Sequence, residues 1–66
     1  MVNKLREIRK ARGMTQIQLA NHTGINRVTI ARYETDKIWP TLRNAEKLAD
    51  ALGVTLNELI GKEASA

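Results

Sequence analysis

A helix start signal recurs three times along this chain of 66 residues. In each copy an apolar residue precedes a threonine or asparagine, and a second apolar residue stands five positions after the first. The Thr or Asn side chain can accept a hydrogen bond from the first helical turn, and the two apolar residues can pack across that turn. The signals are Met14-Thr15 with Leu19, Ile25-Asn26 with Ile30, and Val54-Thr55 with Leu59. The pattern predicts a chain built from short helices.

The starts and ends of these helices are also marked. Two start signals extend to full capping boxes, Thr15 with Gln18 and Thr55 with Glu58. All four glycines lie where a helix would end, and Thr41, after Pro40, fits a further N-cap. The segment after Thr41 repeats apolar residues along one helical face, namely Leu42, Ala45, Leu48, Ala49 and Leu52. The sequence therefore predicts an all-α fold of five helices, at residues 3–12, 16–23, 27–35, 42–52 and 56–60.

The length and composition exclude several classes of protein. A chain of 66 residues forms one domain with a small core and has no room for a deep catalytic pocket. Without cysteine, it has neither disulfides nor a thiolate metal site. Its one serine, Ser65, lies in the tail, and no carboxylate pair shares a face with His22, so we expect no enzyme activity. No cofactor, metal or small-molecule ligand is expected, and no membrane span or signal peptide is indicated.

Charge is distributed unevenly along the chain. Residues 1–43 hold nine Lys and Arg against three Asp and Glu, whereas residues 44–66 hold two against four. The basic part favours a polyanionic partner, although charge alone leaves nucleic acid, an anionic membrane and simple solubility open. The basic side chains of the first predicted helix are expected to form a solvated face, namely Lys4, Arg6, Lys10 and Arg12.

The second and third predicted helices are joined by a very short turn. Gly24 ends one helix, and Ile25 and Asn26 start the next at once. Two helices joined so tightly must cross steeply, and Ala20 supplies the small residue that such a crossing needs. This arrangement is a helix-turn-helix.

The segment QIQLANHTGINRVTIARYE, residues 16–34, resembles the phage-repressor and Cro-like helix-turn-helix family. The matching residues are Gln16, Leu19, Ala20, Gly24, Ile25, Ile30, Tyr33 and Glu34. The segments RKARGMTQ and PTLRNAEKLADALGVTLNEL also resemble that family's first, fourth and fifth helices. The resemblance implies a compact lambda-repressor-like DNA-binding domain at 1–61, followed by a frayed tail at 62–66. It also implies a cytoplasmic regulator of transcription, encoded by a bacterium or phage and expected to be a repressor.

The outward side of the third predicted helix is unusual for a solvated face, because it carries Val28, Ala31 and Arg32. The planar guanidinium of an arginine can pair with guanine O6 and N7, and Val28 can contact a thymine methyl. The small side chain of Ala31 allows the helix to approach the bases closely. The resemblance places base reading at Asn26, Arg27, Val28 and Arg32. It places a phosphate contact at Gln16 and further backbone contacts at Thr29, Thr35 and Lys37.

Two more features follow from the resemblance. Arg9 and Glu34 match a family ion pair that ties the first helix to the third. Many relatives carry Asn-Gly after the third helix, whereas this chain has Thr35-Asp36, so its loop must turn on an aspartate. Independently of the resemblance, Trp39 is expected to cover the small core beside Pro40.

A single recognition helix reads only a few base pairs, so we expect a homodimer on an operator with two related half-sites. The predicted interface is the less basic end of the chain, at Val54, Leu56 and Ile60. The alternative is that these three residues close the core of one chain. Two other functions are open, an antitoxin-like regulator that also masks a second protein and a small helical protein-protein adaptor.

Overall fold

The computed structural model describes residues 4–61, and that part of the chain folds into five α-helices. They are α1 (Leu5–Ala11), α2 (Gln16–Thr23), α3 (Arg27–Glu34), α4 (Leu42–Leu52) and α5 (Leu56–Leu59). The predicted all-α class and helix order are confirmed, and no strand occurs within the described residues. The predicted tail at 62–66 and the predicted start of the first helix at residue 3 lie outside them. None of the described helices has the length and apolar character needed to cross a membrane.

Side-chain caps begin four of these helices. Thr15 Oγ1 accepts the Gln18 backbone N–H at 3.0 Å, and Gln18 Oε1 accepts the Thr15 N–H at 2.8 Å. Thr55 and Glu58 form the same reciprocal pair at α5. This box holds the pKa of Glu58 below its ordinary value of 4.5, chiefly because the carboxylate accepts the Thr55 N–H. The other two capping residues are Asn26 and Thr41, as predicted.

The core lies where α4 packs against α2 and α5 and where α1 packs against α3. Leu19, Ile30 and Leu48 are completely buried at its centre. The remaining buried apolar residues are Leu5, Ile25, Tyr33, Ala45, Ala49, Leu52 and Leu59. A core shared by every described helix holds α3 in place from the inside.

One residue of the apolar face of α4 is not buried. Leu42 is 64% exposed, although its spacing places it on the same helical face as the buried Leu48 and Leu52. It is the first residue of α4. Trp39 and Pro40 line a small apolar cavity together with core residues, so Trp39 covers the core in part while remaining 45% exposed.

Candidate nucleic-acid interface

α3 has one buried face and one exposed face. Ile30 and Tyr33 point into the core, and the Tyr33 hydroxyl accepts a hydrogen bond from Asn44 Nδ2 at 3.0 Å. Arg32 and Val28 are exposed on the other side, Val28 by 49%. α3 therefore exposes an apolar residue and an arginine on one face while its opposite face is held in the core.

The turn between α2 and α3 is fixed by hydrogen bonds. Gly24 adopts a left-handed conformation with φ of 76°, and its N–H donates to the Ala20 carbonyl at 2.8 Å. The Thr23 hydroxyl donates to the Leu19 carbonyl at 2.9 Å and accepts the Ile25 N–H at 3.2 Å. The sequence does not predict this role for Thr23, because its hydroxyl bonds only once the turn has formed. These bonds set the angle at which α3 leaves α2.

A buried ion pair ties α1 to α3. Arg9 Nε lies 2.6 Å from Glu34 Oε2, and Arg9 Nη2 donates to Glu34 Oε1 at 3.2 Å, so the guanidinium binds the carboxylate in two places. Arg9 Nη1 also donates to the Met14 carbonyl at 2.7 Å. The side chains of Arg9 and Glu34 are only 9% and 2% exposed. The pair therefore fixes the end of α3 and the α1–α2 loop together.

Gln16 connects this ion pair to the start of α3. Its Nε2 donates to Glu34 Oε1 at 3.0 Å, and its Oε1 accepts from Arg27 Nη1 at 3.5 Å. An amide nitrogen carries two N–H groups, so Gln16 can keep its bond to Glu34 while offering the other N–H to a phosphate. The sequence predicts a contact role for Gln16 but not its bond to Glu34, which lies 18 residues away.

An open depression lies beside Gln16. Its lining includes the α1–α2 loop, with Thr15, together with Lys10, Ile17 and Arg27. Lys10 and Arg27 give its rim positive charge, and Ile17 is 59% exposed there. The predicted phosphate contact and one predicted base-reading arginine are thus brought to one concave surface.

The other predicted contact residues lie along α3 and the loop after it. Asn26 is exposed, and its Oδ1 accepts the Val28 N–H at 2.8 Å. Thr35 is exposed and donates to the Ala31 carbonyl at 3.1 Å. Lys37 is exposed, whereas Thr29 is half-buried and presents less surface.

Arg12, the C-cap residue of α1, is exposed as predicted, but it is not only solvated. Its Nε donates to the Leu52 carbonyl at 2.8 Å. A cation at this position also faces the negative end of the α4 dipole. No sequence signal marks this bond, because its partners are 40 residues apart.

The predicted dimer residues lie in α5 and directly beside it. Val54 and Leu56 are half-buried and pack against the core. Ile60 is half-buried and lines the small apolar cavity beside Trp39. Val54 and Leu56 thus contribute to closing the core of one chain, and part of the Ile60 residue stays exposed.

Two short helices joined by a fixed turn, with the second presenting an exposed outer face, define a helix-turn-helix domain. A helix-turn-helix family model matches residues 5–59. The chain belongs to this family, in its phage-repressor and Cro-like branch.

Two curated relatives are phage repressors. The immunity repressor protein of Bacillus phage phi105 is 37% identical over 60 residues, which are 91% of this chain and 42% of that protein. The cryptic phage CTXphi transcriptional repressor RstR of Vibrio cholerae is 39% identical over 62 residues, 94% of this chain and 55% of that protein. The chain therefore spans about half the length of these relatives.

Two solved structures share the fold. The P22 c2 repressor, in complex with a synthetic operator, superposes with a TM-score of 0.84 at 25% identity, covering 91% of both chains. The restriction-modification controller protein C.AhdI from Aeromonas hydrophila gives a TM-score of 0.82 at 37% identity, covering 86% of both chains.

Proposed function

We propose that this chain binds a double-stranded DNA operator and represses transcription, with α3 as the recognition helix in the major groove. The observation that carries the proposal is the exposed outer face of α3, held by the core on one side and by the Arg9–Glu34 pair at its end. The named repressor activity of the phi105 and CTXphi relatives supports it, as does the operator-bound P22 c2 structure. The cytoplasm of a bacterial or phage-infected cell is the proposed location.

The contact residues divide into two roles. Arg27, Val28 and Arg32 read base edges, and Asn26 joins them because its amide can still donate while its Oδ1 caps α3. Gln16 holds a phosphate at the start of α2, where the helix dipole is positive. The further backbone contacts proposed are Thr29, Thr35 and Lys37.

The two roles are separated by one pair of variants. Arg32→Ala should weaken operator binding by about 1–3 kcal/mol and relax the preference at one guanine, because a bidentate arginine supplies that much discrimination. Gln16→Ala should weaken binding to operator and unrelated duplexes by a similar factor, because a phosphate contact carries no base identity. The measurement is fluorescence anisotropy on a duplex selected from a random pool with the wild-type protein, and on the same duplex with single base changes.

Arg6→Ala is the control, because Arg6 is an exposed arginine on α1. It should leave the base preference unchanged. If Arg32→Ala and Gln16→Ala lose discrimination equally, the assignment of roles is wrong. Failure of the wild-type protein to enrich any duplex would contradict the proposed function itself.

Salt dependence gives an independent test of a phosphate-bound complex. The logarithm of the association constant, plotted against the logarithm of the salt concentration, should fall with a slope near −0.9 for each phosphate neutralised. The reason is that binding releases condensed counterions from the DNA. Titrations between about 50 and 200 mM salt measure this slope. A flat response would indicate a partner other than DNA.

We further propose that two copies bind related half-sites as a symmetric dimer, through Val54, Leu56 and Ile60. Ile60→Lys should lower affinity for a full operator while thermal unfolding stays cooperative, because the half-buried Ile60 lies at the edge of the core. Asn57→Lys, which adds the same charge at an exposed position of α5, is the control. Sedimentation and operator titration together measure pairing. An Ile60→Lys protein that binds the full operator like the wild type would exclude this interface.

A further inference from the structure

Asp36 closes α3 in a backbone conformation that most side chains disfavour. Its φ is 60°, and it is the one non-glycine residue with positive φ among residues 4–61. The Asp36 N–H donates to the Tyr33 carbonyl at 3.2 Å, and the Lys37 N–H donates to the Arg32 carbonyl at 2.9 Å. This pair of bonds defines a Schellman motif, which requires a left-handed backbone conformation at the position that Asp36 occupies.

Two other helices of the same chain end in this motif with glycine. Gly13 closes α1 and Gly53 closes α4, with φ of 71° and 70° and the same pair of backbone bonds. Glycine adopts this conformation freely, whereas aspartate tolerates it at a cost. At the end of α3 the chain therefore bears a conformational cost that it avoids at α1 and α4.

The charge of Asp36 adds a second cost. The carboxylate directly follows the C-terminal end of α3, where the helix dipole is negative and an anion is unfavourable. Asp36 is exposed and lies between Thr35 and Lys37, two of the proposed DNA-backbone contacts. The nearest cationic side chains along the chain are those of Arg32 and Lys37.

We propose that Asp36 is an affinity-limiting residue, whose carboxylate repels backbone phosphates at the C-terminal end of the recognition helix. This inference rests on the proposed DNA binding. Phosphate contacts dominate non-specific binding, so one anion held among them weakens the complex with every sequence. Arg27 and Arg32 still supply the base preference, because the repulsion acts on the backbone and carries no base identity. The expected consequence is a protein that leaves non-specific DNA faster.

Two variants separate the charge from the conformation. Asp36→Asn removes the charge and keeps a side chain that tolerates the left-handed region, whereas Asp36→Gly removes both costs. Asp50→Asn is the control, because it makes the same change in net charge at an exposed position on α4. Anisotropy titrations use two duplexes, one selected from a random pool by the wild-type protein and one of random sequence, each at several salt concentrations.

Asp36→Asn and Asp36→Gly should both tighten binding to the two duplexes by about threefold to tenfold at low salt, and the gain should shrink as salt screens it. Asp50→Asn should produce a smaller gain. Asp36→Gly should also unfold at a higher temperature than Asp36→Asn, because glycine relieves the positive φ.

Three results would overturn the inference. The first is wild-type affinity of Asp36→Asn for both duplexes, and the second is an equal gain from Asp50→Asn, which would make the effect one of net charge. The third is a loss of affinity for the selected duplex alone, which would show that Asp36 reads a base. In each of these the wild-type protein still binds DNA, so the proposed function stands. A wild-type protein that binds neither duplex would overturn both the proposed DNA binding and the inference about Asp36.

Discussion

Glu34→Leu is expected to lower the free energy of unfolding by about 3–5 kcal/mol, because it leaves the buried Arg9 guanidinium without its counter-charge. Arg9 is 7% exposed as a whole residue, and its Nε lies 2.6 Å from the Glu34 carboxylate. The substitution also removes the acceptor for Gln16 Nε2. Small domains are typically stable by only about 5–15 kcal/mol, so such a loss would be a large part of the total. Urea denaturation followed by circular dichroism measures it.

A double variant tests whether the isolated charge is the cause. Arg9→Met combined with Glu34→Leu removes both charges, and it should recover at least about half of the stability lost in Glu34→Leu. Glu46→Leu is the control, because Glu46 is exposed on α4 and its loss should change stability by less than about 0.5 kcal/mol. A loss below about 1 kcal/mol in Glu34→Leu would show that the pair behaves like a surface salt bridge.

Leu48→Ala is expected to lower the free energy of unfolding by about 2–5 kcal/mol, because it removes buried apolar surface and leaves a cavity in the core. Leu48 is completely buried on α4, the helix that packs against α2 and α5. Leu42→Ala on the same helix makes the identical chemical change at a side chain that is 64% exposed. It should alter stability by less than about 0.5 kcal/mol.

Thermal and urea unfolding of the two leucine variants measure the difference. Equal losses would contradict the observed exposure of Leu42 and the position of Leu48 in the core. Because the two variants make the same substitution on one helix, the difference between their losses of stability chiefly reports the difference in burial.

The limits of the helices were predictable because their determinants are local. Each capping box closes within three residues, as in Thr15 with Gln18. The apolar staple spans five positions, and the left-handed glycines act on the turn that they end. Once α3 was predicted to begin near Asn26, helical periodicity alone separated its buried face, with Ile30 and Tyr33, from its exposed one. The DNA contacts along that exposed face stay predictions.

The sequence by itself determined where helices begin and end, which face of α3 is buried, and that its final turn bends on Asp36. The family resemblance indicated the Arg9–Glu34 pair, but only the tertiary structure decided which other side chains meet across the fold. Gln16 bonds to Glu34, Arg12 caps the Leu52 carbonyl, and Leu42 stays exposed despite its helical spacing. The reason is physical: capping and periodicity act within one or two turns, whereas these outcomes depend on partners brought together from distant parts of the chain by packing.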